Sequence, residues 1–349
     1  MKRALFFVLA FIGAMAPAQA HEKWFIDSSA YPLRWDLFFQ PLPLAFTGGV
    51  VVVTILAAIW WRARKYRDFI PGPEIFGTTP LRRRIVYGML PLIVGIHFSV
   101  PLLVNGTHTT LFSPNAQMHG IPAYAIGLLE TGIALAFFYG GFTRLAGIVL
   151  GLVWIAAFFV VGPEIALENA LFAGAAAFFF MAGRGPIAID RLMFPRLEPP
   201  RKLLLHAELP LRIGLGISLT VVAFTEKFAN LPLAAHFLDT RPLNFTHYVG
   251  LPLSNDLFVL FAASVELLVG LWILFGIFPR EIIIVAWLPF NLTLSVFNQV
   301  ELIGHLPIYG IMALLLIWIP GRRNLDDWAA GVMHWPGLDR IDEKSRIEP

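Results

Sequence analysis

Apolar runs of membrane length alternate along the chain with short polar loops, and two of the runs repeat one another. LLETGIALAFFYGGFTRLAGIVL and SVELLVGLWILFGIFPREIIIVA align at one fixed offset, which sets Glu130 on Glu266, Gly140 on Gly276, Phe142 on Phe278 and Arg144 on Arg280. The same register carries Gly174 onto Gly310, Gly185 onto Gly321 and Asp190 onto Asp326. Each copy predicts four apolar helices, at about 85–104, 121–140, 144–161 and 167–182, then at about 212–228, 254–276, 281–299 and 305–320. A further span at Leu44–Trp61 precedes both, for about nine in all. The expected fold is an all-α polytopic membrane protein. Two parallel four-helix-bundle repeats follow one extra transmembrane helix and a signal peptide.

Loop charge supplies the orientation. Residues 1–20 read as a secretory signal: Lys2-Arg3, the short apolar run Ala4–Ala14, and Ala18-Gln19-Ala20 as an A-x-A cleavage site. Cleavage makes His21 the mature N-terminus; an uncleaved signal anchor is the alternative. Residues 21–84 hold a periplasmic N-terminal segment, the first span and a basic cytoplasmic loop, with Arg62, Arg64, Lys65, Arg67 and Arg82-Arg83-Arg84. Repeat one takes residues 85–197, a cytoplasmic linker 198–211, repeat two 212–335 and a charged cytoplasmic tail 336–349. Asn105–Gly120 has no Lys or Arg and faces out, whereas the loop Arg184–Arg212 is rich in both and faces in. An even number of helices per repeat gives both copies one orientation, unlike inverted-repeat transporters. The amphipathic pieces Pro186–Leu197 and Asn324–Trp335 are expected to lie flat on the inner leaflet, with Asp190 and Asp326 near their first turns. The location implied is a bacterial inner membrane, with the mature N-terminus periplasmic and the C-terminus cytoplasmic.

Composition narrows the chemistry. The chain is 57% hydrophobic and 14% charged, with a mean hydropathy of +0.71, which is the profile of a multi-pass membrane protein. It has no cysteine. Disulfides, thiolate nucleophiles and cysteine-ligated iron–sulfur clusters are therefore excluded, and electron transfer would need an organic cofactor, a histidine-ligated metal or a partner subunit. No phosphate-binding glycine loop, triad spacing or long basic run points to nucleotide hydrolysis, acyl transfer or nucleic-acid binding.

Each four-helix unit resembles the DoxX/DoxD-like membrane family. The resemblance rests on an Arg before helix one (Arg84, Arg212), a Glu in helix two (Glu130, Glu266) and an apolar turn ending in Arg (Arg144, Arg280). A glycine-led close onto a hydrophobic-Asp pair completes it, in Ile189-Asp190 and Leu325-Asp326. It covers about 85–190 and 212–326, and implies small four-helix membrane subunits associated with quinone-linked oxidation or redox-stress complexes.

The intramembrane carboxylates are the first chemical candidates, because a carboxylate in hydrocarbon is costly. Glu130 shares a stripe with Gly127 and Ala134, and Glu266 with Ala263 and Gly270. Small residues at helical spacing let another helix approach, so both carboxylates should face the bundle, as packing glue or as proton acceptors and partners of a quinone headgroup. Lys227 either pairs with Glu266 or snorkels to the interface. Repeat one has His97 and Ser99 in its place. Asn169 and His305 share a repeat position, and Asn291 and Asn298 add polarity to helix three of repeat two. The convergent set is therefore Lys227, Glu266, Asn291 and His305. Glu266 and Lys227 are the expected catalytic pair; Glu130, Asn291, His305 and His97 are the expected cofactor contacts. A mature N-terminal His21 could bind copper through its amine and ring if a second histidine approached. Three functions fit: a quinone-linked or redox-stress subunit working with a respiratory or redox partner subunit in the lipid bilayer, a small-solute or proton-coupled transporter, and a non-catalytic scaffold or metal-handling protein.

Overall fold

The computed structural model describes residues 21–297, 299–317 and 322–333. The expected signal peptide 1–20, Asn298, Gly321, Trp335 and the tail 336–349 lie outside these residues. The described chain is helical with no strand; Thr110 and Gln117 form a single isolated bridge. Helices form at all nine expected places. They are α1 (Pro41–Ala63), α2 (Pro80–His108), α3 (Gly120–Tyr139), α4 (Thr143–Val160), α5 (Ala170–Ala182), α6 (Glu208–Val222, continued by a π-helical stretch Ala223–Phe228), α8 (Asn255–Phe275), α9 (Pro279–Val296) and α10 (Gln299–Ile317). Two further helices are α7 (Leu231–Thr240) and α11 (Arg322–Met333), and short helical turns lie at Trp35–Phe38, Pro163–Glu168, Ile189–Met193 and Arg201–Leu204. Among the described residues, seven helices are long and apolar enough to cross a membrane: α1–α4, α8, α10 and the stretch Arg201–Phe228 that contains α6. Helix α5 is shorter, and α9 carries Arg280 and Glu281 in its first turn.

Packing follows the small residues. Helix α2 packs on α3 and α6 on α8, while α4 packs on α5 and α9 on α10. Two crossed contacts join these pairs, α5 on α6 and α10 on α2. A Cβ on Gly127 would lie 2.4 Å from the Gly106 carbonyl oxygen, so α2 and α3 meet at backbone distance. Gly174 makes the same kind of approach between α5 and the Pro210 carbonyl of α6. Phenylalanines fill the middle: Phe137 stacks on Phe179 at 3.9 Å, and Phe112 on Phe172 at 4.5 Å.

The two ends of the bundle differ in chemistry. The basic end holds the turns into α4 and α9, which share a backbone path. Gly140 and Gly276 have φ of +71° and +65°, and Phe142 and Phe278 follow at +53° and +44°. Arg144 Nε then donates to the Phe180 carbonyl (2.9 Å) and Arg280 Nε to that of Leu316 (3.3 Å). Phe278 is buried under Trp61 (4.7 Å) and Phe69 (5.3 Å), which anchors α1 and its loop. Asp190 sits in the first turn of Ile189–Met193 as expected, whereas Asp326 lies past the first turn of α11. Asp190 accepts from the Phe142 and Thr143 amides at 2.5 and 2.8 Å, so it caps α4 and not its own short helix. Asp326 pairs with Arg201, and the neighbouring Asp327 with Arg83 and Arg84. The linker is also more ordered than its proline content suggests: Arg201–Leu204 is helical and α6 starts at Glu208.

Asp68 gives the basic end a pH dependence. Burial pushes its carboxyl up to about 7, Glu281 adds to the rise, and Arg280 at 3.7 Å and Arg64 oppose it. A carboxyl raised in the folded loop stabilises that loop fully below its unfolded value of 3.8, and the contribution is lost as pH rises through about 7. Trypsin cleavage after Arg67 should therefore quicken between about pH 4 and 7 once corrected for the enzyme's own profile. Asp68→Asn should flatten that rise; an unchanged profile in the variant would remove Asp68 as its source.

Candidate functional site

The opposite end of the bundle is capped by residues 21–31, folded as two 3₁₀ turns, Glu22–Trp24 and Ser28–Ala30. Aromatic anchors hold this cap. Trp24 lies on Gly304, where a Cβ would come within 2.2 Å of its ring, and 5.5 Å from the ring of His305. Phe25 stacks on Phe297 at 4.7 Å, with the Arg241 guanidinium 4.8 Å from the Phe25 ring. Two hydrogen bonds fasten the following residues to the end of α6: Arg34 N to the Ala229 carbonyl (2.6 Å) and Asn230 Nδ2 to that of Tyr31 (3.0 Å).

Beneath the cap the last turn of α6 widens. The Ala229 amide reaches back five residues to the Phe224 carbonyl at 2.8 Å, a π-helical bond. In an ordinary α-helix, consecutive side chains diverge by about 100°. Here Thr225, Glu226 and Lys227 are all buried. Lys227 Nζ bridges Glu22 Oε2 at 3.1 Å and Glu266 Oε2 at 3.0 Å. Glu226 accepts from the Glu22 amide at 2.7 Å, and its other oxygen is 3.2 Å from His21 Nδ1. A second arm runs to the α4–α5 connection, where Lys23 Nζ donates to Glu164 (2.5 Å) and to Glu168, which also accepts from Thr225 Oγ1 (2.5 Å). Asn169 Nδ2 donates to Ser113 Oγ at 3.2 Å beside it. A cavity of about 20 Å³, room for one water, lies between His21, Trp24, Glu168, Asn169, Ser113 and Ser218.

Charge is out of balance in this network. Five buried carboxyl groups (Glu22, Glu168, Glu226, Glu266 and Glu301) share the space with two buried ammonium groups, Lys23 and Lys227. Buried like charges cannot all ionise together, so the network must hold protons or a further cation. The cap shows this directly. Burial pushes the His21 imidazole down to about 4, against the pull of Glu266, so the ring is neutral near pH 7. Burial also pushes the Glu22 carboxyl up to about 8, with Lys227 opposing the rise and Glu226 adding to it. Burial alone would lower the Lys23 ammonium, but Glu168 and Glu226 outweigh it and hold it above its usual range.

The residues singled out in the sequence divide cleanly. Glu266, Lys227, His305 and His21 meet in one place, drawn from α8, α6, α10 and the cap. Lys227 pairs and does not snorkel. Glu130 is fully buried but apart from this network; one oxygen accepts from the Phe112 amide at 3.1 Å and the other has no hydrogen-bond partner. His97 packs on Gly310, and its Nδ1 bonds the Ile93 carbonyl of its own helix at 2.8 Å. Asn291 bonds the Trp287 carbonyl one turn back at 2.7 Å on the rim of α9. Sequence reasoning passed over Glu22, Lys23, Glu168, Glu226 and Glu301. Their one shared signal is charge at the mouths of spans, four acids and the lysine of the HEKW segment, which reads equally well as a solvated loop. Among the described residues, no group of three or more His, Cys, Asp or Glu side chains has the arrangement to hold a metal ion.

The cap's anchor is testable through Gly304. Gly304→Leu should expel Trp24 while leaving α10 helical, since leucine is a good helix former. Tryptophan emission should shift to the red and proteolysis within residues 21–40 should accelerate several-fold; wild-type behaviour in both would show that the cap does not depend on this seat. In comparisons with known proteins, no family model, no curated protein and no solved structure matches the chain.

Proposed function

We propose that this is a bacterial inner-membrane subunit for quinone-linked or redox-stress electron transfer, and that the buried network under the cap is its proton-handling site. The observation that carries the reading is Lys227 bridging Glu22 and Glu266 inside a network with more carboxyl groups than cations. Such a network must gain or lose protons when a neighbouring charge changes. Oxidation of a quinol releases two protons with two electrons. Glu266, paired as a carboxylate with Lys227, would accept one headgroup proton and become the neutral acid, a second carboxylate of the network would take the other, and a redox partner subunit would take the two electrons. The membrane-facing side of α8 supports a lipid-soluble substrate, with an apolar groove of about 530 Å³ against α1 lined by Phe46, Val50, Val53, Phe261, Val265 and Leu268.

The same proposal takes the architecture as two parallel DoxX-like repeats with nine spans behind a cleaved signal. The reciprocal contacts of α5 on α6 and α10 on α2, and the shared backbone path into α4 and α9, support the repeat. The basic loops at one end support placing that end in the cytoplasm and the cap in the periplasm. The copies then differ in role, since Glu130 has no lysine beside it and Glu266 does.

Glu130→Gln should leave function nearly intact, because the amide mimics a neutral acid that only fills space. Glu266→Gln should abolish function without unfolding the protein, since an amide keeps size and hydrogen bonding but accepts no proton. The comparison is growth or quinone reduction by membranes at equal expression. Wild-type behaviour of both variants would make the protein a structural one.

A further inference from the structure

His305 and Glu301 are the members of the network whose side-chain polar atoms the fold leaves without a hydrogen bond. His305 is 0% exposed, and neither ring nitrogen has a hydrogen-bond partner. The nearest acid, Glu301 Oε1 one turn back, is 3.5 Å from Nδ1. A buried imidazole left without partners is costly, so the fold holds it there for a ligand that completes it. Its ring centroid is 5.5 Å from that of His21, and both rings pack against Trp24. Two imidazoles on one metal ion place their centroids between about 4.5 and 6.5 Å apart, given nitrogen–metal bonds near 2 Å. The centroid separation of the pair falls inside that range.

We propose that cleavage before His21 completes a copper site, in which the freed α-amine and Nδ1 of His21 chelate the ion and the His305 imidazole closes the set. The amine and ring of one residue form a chelate that an uncut chain lacks, because the lone pair of a neutral peptide nitrogen is delocalised into its carbonyl. Three nitrogen donors suit copper above the other common divalent ions. The surroundings favour a cation as well. Glu226 stands 3.2 Å from His21 Nδ1, and the five buried carboxyl groups outnumber the two lysines around it. Trp24, seated on Gly304, stacks on the His21 ring at 4.1 Å and fixes its plane. The site depends on signal cleavage and not on the quinone-linked reading of Glu266.

The test uses the full-length gene product purified from membranes, exposed to Cu(II) and dialysed. Its N-terminus should read His-Glu-Lys-Trp-Phe, and about one copper should remain per chain, with electron paramagnetic resonance showing nitrogen hyperfine structure from the three donors. His305→Asn and His21→Gln should each weaken copper binding by about tenfold or more and abolish the copper-induced rise in Tm. His108→Ala, a change on the exposed rim, should keep both. Glu266→Gln should keep the copper even where it loses the redox phenotype, so failure of one reading leaves the other standing. A retained Met1, a spectrum with oxygen donors only, or copper held as tightly by His305→Asn would overturn the site. The spectrum of the wild-type protein decides the matter even if a variant does not fold.

Discussion

Burying more carboxyl groups than cations is the constraint around which this bundle is arranged. A lone ionised carboxylate in a low-dielectric interior costs several kcal/mol, and a pair repays that cost only with good geometry and further hydrogen bonds. Lys227 lies between Glu22 and Glu266, and Lys23 between Glu164 and Glu168. Both lysines depend on the cap, since Lys23 belongs to it and Glu22 supplies one of the two carboxyl partners of Lys227. The cap is thus part of the core electrostatics and not a lid laid over a finished bundle. Its aromatic anchors on Gly304 and Phe297 set the register in which those charges meet.

Much of the fold was legible because hydrocarbon-length runs leave few choices. The nine helices, the bundle-facing side of Glu130 and Glu266, and the matching turns at Phe142 and Phe278 follow from apolar period, small-residue stripes and one offset in the sequence. Helix α7 was hidden in a polar-looking loop, although Leu231, Ala234 and Leu238 fall on one face. Asp190 stands in the first turn of its own short helix as expected, but its carboxylate serves the neighbouring helix α4. Local sequence does not say which helix an acid will cap.

The candidate site was half legible. A carboxylate in mid-span announces itself, and so does a lysine late in a helix. What sequence could not supply was the π-helical turn that buries Thr225, Glu226 and Lys227 together, nor the return of the N-terminal segment across the bundle. Both are long-range facts: Glu22 meets Lys227 across most of the chain. Asn291 shows the opposite failure, a polar residue of α9 whose side chain is satisfied by its own helix.

The central claim is that Lys227 and Glu266 are energetically one unit within the buried network. A double-mutant cycle on thermal unfolding, with Lys227→Met and Glu266→Gln alone and together in the same detergent or lipid, measures this directly. Lys227→Met alone should cost about 3–5 kcal/mol, because it leaves buried carboxylates unpaired. Adding Glu266→Gln should return part of that loss, with a coupling of about 1–3 kcal/mol. Effects that add within about 0.5 kcal/mol would contradict the account, since independent residues cannot be the pair that holds the site together.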